Sequence, residues 1–136
     1  MNMTHTTTEI REAIRDKLQR HFGRDSETAT QKQIYRATCS VLRDMMTEQW
    51  MKHHCDEPGH EEKEVIYLSM EFLPGTSLRN NLFNLNVTEI FRDALDQLGF
   101  DLEKLQDMEP DAGLGNGGLG RLASCYLDAV ATQRIF

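Results

Sequence analysis

Apolar residues recur every fourth position at the start of the chain. Ile10, Ile14, Leu18 and Phe22 stand among charged neighbours, which predicts a helix with a narrow apolar stripe. Thr6 and Glu9 have capping-box spacing: the hydroxyl accepts from an exposed helix N–H while the carboxylate reaches back. Gly23 marks the end of this helix. A second helix is expected from Thr30, with Gln33 in the reciprocal box position. Its wider buried face runs through Ile34, Val41, Leu42, Met45 and Met46 and extends to Trp50, and the polar residues 53–60 should end it.

The pattern then changes. Residues 65–70 (Val-Ile-Tyr-Leu-Ser-Met) are short, β-rich and apolar on both faces, followed by the breaker pair Pro74-Gly75. Such a run predicts a buried parallel strand with helices covering both its faces. Ser77 caps a short helix through Leu78, Leu82 and Phe83; another helix fits residues 87–98, with Gly99 at its end. Residues 101–108 read as a brief amphipathic helix stopped by Pro110, and residues 119–131 as a helix whose small residues Ala123, Ser124, Ala129 and Ala131 suit close packing. One strand cannot satisfy its own backbone N–H and C=O groups. The sequence therefore reads as a fragment, its sheet completed by residues or chains beyond it.

With 136 residues there is length for one ordinary domain. A net charge of −7 argues against nucleic acid and anionic membrane, which attract basic patches. Neither a membrane-spanning run nor a signal-peptide pattern is present. Three cysteines without a C-x-x-C pair suit free thiols in a reducing cytoplasm. His53, His54, Cys55 and His60 match no tetrahedral metal spacing and read as a solvated loop, so no metal is expected. Cys39 and Cys125 fit apolar helix faces as packing residues.

The most conspicuous chemistry lies in residues 113–120, Gly-Leu-Gly-Asn-Gly-Gly-Leu-Gly, where two overlapping frames satisfy G-x-G-x-x-G. A dinucleotide site would need a strand feeding the turn, but residues 107–111 are polar and carry a proline. Two readings remain. Glycines let a ligand approach the backbone, and the first turn of the following helix offers free N–H groups to an anion or a polar sugar group at Gly117, Gly118 and Leu119. Alternatively, the run is a tight turn that lets a helix pack against a strand. Glu71 follows directly on the apolar run, either a ligand-facing carboxylate at a sheet end or an ordinary strand-end charge. Arg121, in the first turn after the run, pairs with an anion, with Asp111 or with Glu109.

Two stretches together resemble the α-glucan (glycogen, starch, maltodextrin) phosphorylases. The first is Tyr67-Leu68-Ser69-Met70-Glu71-Phe72 with Gly75, Leu78, Asn81, Asn84 and Leu85. The second runs from Asp111 through the glycines to Arg121-Leu122-Ala123, then Cys125, Leu127, Asp128, Ala131 and Thr132. The resemblance spans residues 28–132, leaving 1–27 as a helical leader and 133–136 as a divergent end, all within the N-terminal part of the family's N-terminal domain. It implies an α/β class: an incomplete N-terminal Rossmann-like domain of a two-domain GT-B-type glycosyltransferase fold, this piece being mostly helical with one clear strand. It also implies phosphorolysis of an α-1,4-glucan by inorganic phosphate to glucose 1-phosphate, in a cytoplasmic, homodimeric parent enzyme.

By the same resemblance, main-chain groups of Gly117, Gly118 and Leu119 line the cleft near phosphate and the glucosyl unit. Asn116 supports the cofactor side with Glu71 nearby. The cofactor, pyridoxal phosphate, belongs to the C-terminal domain, whose Schiff-base lysine is not in this chain; no catalytic residue is assigned here, and the piece alone is expected to be inactive. Leu73, Pro74, Thr76 and residues 133–136 depart from the family pattern. Pro58 stands where regulated animal members stack a nucleotide, so a bacterial-type parent is expected. The competing reading from another class is an interaction or regulatory piece that pairs with another chain through an open sheet edge.

Overall fold

The structure is a computed structural model and describes residues 5–55 and 66–133, with the side chains of 53–55 left aside. The chain divides into two compact units, 1–56 with 78–109, and 57–77 with 110–136. The chain leaves the first unit after its second helix and returns to it for three more.

The first unit is all helical: α1 (Thr7–Phe22), α2 (Gln31–Cys55), α3 (Leu78–Asn84), α4 (Thr88–Gln97) and α5 (Leu102–Gln106). The capping residues sit where their spacing predicts. The Thr6 N–H donates to the Glu9 carboxylate at 2.8 Å and the Glu9 N–H to Thr6 Oγ1 at 3.2 Å. Hydrogen bonding to the carboxylate from the Thr6 backbone N–H, and then from the Thr6 side chain, holds the Glu9 carboxyl below its ordinary range. That contribution is present above the unfolded pKa and lost as pH falls through the folded one. Gly23 closes α1 in the left-handed region at φ +59°. Thr30 and Gln33 repeat the reciprocal arrangement at the start of α2.

Helix α1 packs on α2 and α4, and α4 on α3 and α5. Their stripes merge into one core in which Ile14, Leu18, Ile34, Leu82, Phe91, Leu95, Leu102 and Leu105 are fully buried. Each such side chain contributes about 1.5–3 kcal/mol relative to exposure. The far end of α2 differs from expectation: Met46 and Trp50 are exposed, Trp50 at 61%. The described part of the first unit covers that stripe only as far as Met45. Phe83, expected on the buried face of α3, is 77% exposed, because Leu78 and Leu82 turn inward and Phe83 follows one residue later around the helix.

The second unit contains β1 (Phe72–Gly75), β2 (Ala112–Leu114) and α6 (Gly118–Gln133). The strands pair antiparallel, Phe72 opposite Leu114 and Gly75 opposite Ala112, with an irregularity between. Pro74 falls inside that irregular stretch, where its missing N–H costs no regular ladder bond. Helix α6 lies on β1 and buries Gly120, Ala123 and Ser124.

The expected buried parallel strand at 65–70 is corrected here. Residues 66–69 form no regular strand, Leu68 is 88% and Met70 90% exposed, and Val65 lies outside the described residues. A central strand needs hydrogen-bonding neighbours on both sides. Among the described residues the extended segment that pairs is 112–114, and its partner is 72–75. The described chain is thus mostly helical with a small two-stranded sheet. Ala129, Ala131 and Cys125, expected in packed faces of α6, are exposed as well, since only its first two turns meet β1. No helix among the described residues is long and apolar enough to cross a membrane.

Thr38 is fully buried in the first unit, and its hydroxyl has no hydrogen-bond partner among the described residues. Valine has nearly the same shape and removes the unsatisfied group, which costs about 1–3 kcal/mol to bury. Thr38→Val is therefore expected to stabilise the first unit by about 1 kcal/mol, read as a rise in urea midpoint at unchanged slope. A lower midpoint would refute the assignment.

Candidate functional site

The glycine run joins β2 to α6 and closes over two side chains of the segment that enters β1. A Cβ on Gly113 would stand 2.8 Å from Leu73 Cδ2, and one on Gly115 would stand 2.6 Å from Glu71 Cδ. One on Gly120 would meet Leu73 Cγ at 2.8 Å and Glu71 Cβ at 3.1 Å. Gly115 also takes φ +118°, a conformation a side chain disfavours. These three glycines are required by packing inside the unit. The helix-against-strand reading of the run is correct for them.

Glu71 does more than fill space. Its Oε2 accepts from the Gly120 N–H at 3.1 Å, in the first turn of α6. Gly117 supplies the carbonyl that accepts from the Arg121 N–H at 3.3 Å, and so holds the N-cap position with no side chain to offer. Glu71 replaces the missing cap from across the unit and places a negative charge at the positive end of the helix. Its own approach is fixed by Ser69, whose Oγ donates to the Glu71 carbonyl at 2.6 Å and accepts from the Glu71 N–H at 3.2 Å.

Gly117 and Gly118 differ from the other three. Nothing lies within 4 Å of a Cβ on either, and neither has a positive φ. Gly117 occupies an N-cap, where glycine is accepted. For Gly118, the first residue of α6, neither conformation nor packing within the unit calls for glycine. Gly118 and Leu119 are exposed, and no acceptor among the described residues bonds their N–H groups. Asn116 is exposed in the same turn. The structure therefore brings together Glu71, Asn116, Gly117, Gly118 and Leu119 around one helix end. Arg121 is exposed and forms no ion pair among the described residues, neither with Asp111 nor with Glu109.

Leu73, noticed in the sequence only as a departure from a pattern, is the side chain over which Gly113 and Gly120 close. The only sequence signal for it is its two-residue spacing from Glu71, which puts both on one face of an extended segment. Among the described residues no cluster of metal-binding side chains occurs; His60 and the side chains of 53–55 lie outside them.

At this helix end Glu71 takes the Gly120 N–H, while the Gly118 and Leu119 N–H groups stay open to an anion or a polar group. The carbohydrate phosphorylase family model matches residues 95–136. The chain is 43% identical to a glycogen phosphorylase of Chlamydia pneumoniae over 93% of its length, and 40% identical to the brain-form glycogen phosphorylase of Bos taurus over 91%. It is also 46% identical to the H isozyme of α-glucan phosphorylase of Vicia faba over 76%. The chain belongs to the carbohydrate phosphorylases. Within them it corresponds to a segment of the glycogen and α-glucan enzymes, spanning 12–15% of the length of these relatives.

Two substitutions separate packing from exposure. Gly120→Ala gains up to about 1 kcal/mol of helix propensity but must push aside Leu73 and Glu71, which costs about 1–3 kcal/mol. It is expected to lower hydrogen-exchange protection of the α6 amides, and Glu71→Ala to do the same by about 1–2 kcal/mol. Gly118→Ala meets no neighbour and should raise that protection by up to about 1 kcal/mol. Loss of protection in Gly118→Ala would show that the glycine is structural.

Proposed function

We propose that this chain forms one wall of the catalytic cleft of an α-1,4-glucan phosphorylase, which uses inorganic phosphate to release glucose 1-phosphate. The N–H groups at Gly117, Gly118 and Leu119 face the phosphate and the terminal glucosyl unit, and Asn116 and Glu71 support the cofactor side. The observation that carries this reading is Gly118: a glycine that nothing inside the described chain requires, at a helix end with free donors. A glycine there lets a ligand approach the main chain closely. The chain's similarity to glycogen and α-glucan phosphorylases supplies the reaction class.

Pyridoxal phosphate is the cofactor this reading implies for the whole enzyme, a homodimer of Rossmann-like, GT-B-type domains. The described residues of the second unit include no lysine, so they offer no amine for an imine with the cofactor beside the glycine run. The residues present fit a neighbour of the cofactor rather than its covalent holder. The contribution of this chain is then to bind and orient. Free N–H groups on a rigid helix end donate to phosphate or sugar oxygens without reorganising, while Glu71 holds that end in place. By itself the chain is catalytically inactive.

The test has two readouts. The isolated chain is expected to release no glucose 1-phosphate from glycogen and phosphate, and clear turnover would overturn its inactivity. Titration of the ¹⁵N-labelled chain with inorganic phosphate should shift the Gly118 and Leu119 amides with about millimolar affinity, and Gly118→Ala should weaken that response. Shifts confined to other residues would remove the cradle.

The exposed apolar residues Ile66, Leu68 and Met70 favour a second reading, a chain that pairs with another through its open sheet edge. Sedimentation of the purified chain separates the two, since a monomer at high concentration excludes self-pairing.

A further inference from the structure

Helices α3, α4 and α5 enclose a groove of about 540 Å³ that lies wholly within the first unit. That volume falls in the range of small-ligand sites. Each helix contributes residues at helical spacing: Arg79, Asn80 and Phe83 from α3, Thr88 and Arg92 from α4, and Gln106 with Asp107 from the end of α5.

Phe83 is the informative side chain. It is an aromatic ring 77% exposed at the wall of a polar groove, while Leu78 and Leu82 of the same helix are buried. The charges around it cancel, two arginines facing Glu103 and Asp107. Arg92 is already held by Glu89 at 2.8 Å and lies 3.9 Å from Glu103. Arg79 forms no ion pair among the described residues, so its donors are open to a neutral acceptor. Asn80, Thr88 and Gln106 each offer both donor and acceptor atoms.

A strongly anionic ligand meets the two carboxylates here, and an apolar ligand leaves the amides and guanidinium unpaired. A ligand with an apolar C–H face and a rim of hydroxyls satisfies both the ring and the polar wall. We propose that this groove binds a neutral polyhydroxylated chain, a segment of α-1,4-linked glucan, with a sugar ring stacked on Phe83 and its hydroxyls bonded by Arg79, Asn80 and Gln106. The choice of α-glucan rests on the phosphorylase reading; the groove belongs to the first unit and the glycine run to the second. Its role would be to hold the polymer rather than to react with it.

The 136-residue chain is titrated with maltoheptaose by NMR and run in native gels containing glycogen. Wild-type chain should bind and be retarded, with the largest shifts on α3 and α5. Phe83→Ala, an exposed truncation that leaves the core intact, should weaken maltoheptaose about fivefold or more, while Phe83→Tyr retains binding. Equal affinity of Phe83→Ala and wild type overturns the proposal, as does equally tight binding of the β-1,4-linked cellohexaose. Absence of maltoheptaose binding with an intact phosphate response at Gly118 and Leu119 rejects the groove and leaves the cradle standing. Maltoheptaose binding that depends on Phe83, without any phosphate response, supports the groove and rejects the cradle.

Discussion

The second unit depends on one bond: the Gly120 N–H donating to the Glu71 carboxylate at 3.1 Å. A helix that starts on glycines has no side-chain cap of its own, and its first N–H groups have no intrahelical partner. Glu71 supplies the acceptor from 49 residues earlier in the chain, and it reaches the helix only because Gly115 and Gly120 carry no Cβ. Leu73 uses the same absence at Gly113 and Gly120. Strand, turn and helix are therefore fixed by one mutual fit, in which glycine on one segment and two larger side chains on the other are each other's reason.

The two units are built on different terms. The first has a continuous apolar core and two capping boxes, and its helices follow from local pattern. The second buries little of α6 beyond Gly120, Ala123 and Ser124, and leaves Leu114, Leu119, Leu122, Tyr126 and Leu127 exposed. Segments with few buried apolar contacts open at lower free energy than the core. The candidate site thus sits on the half of the chain with less packing of its own. That half gains the most from whatever covers it.

What could be read in the sequence follows from how local each cause is. Thr6 with Glu9, Gly23, and Thr30 with Gln33 act over three or four residues, and each sits where its spacing predicts. The failure at 65–70 has the opposite origin. Hydrophobicity reports what a segment prefers, while a strand exists only where neighbours pair with it. Phe83 was misplaced because a stripe of Leu78, Leu82 and Phe83 is too short to fix which residue turns outward. At the glycine run the sequence left packing and ligand approach open, and the structure divides them by residue: packing accounts for Gly113, Gly115 and Gly120 but not for Gly118. Glu71 was visible as a strand-end carboxylate, yet its partner 49 residues away was not, since nothing in the spacing encodes the fold between them.

The charges around this helix end also decide how strongly it can hold an anion. The α6 dipole places about half a positive charge there. Glu71 brings one negative charge to the same place, already satisfying one N–H. Among the described residues of the unit, Arg121 is the only cation, set against Glu71, Asp111 and Asp128. A phosphate at Gly118 and Leu119 therefore gains two main-chain bonds but little net Coulomb attraction, and repulsion from Glu71 opposes it. Glu71 cannot be removed to relieve this, because it fixes the helix that presents the donors. A tight phosphate site on this scaffold needs further cations to face the helix, and these residues do not supply them. On the proposed reading, the geometry of the helix end and the weakness of its electrostatics agree with a wall that orients a ligand held by other groups.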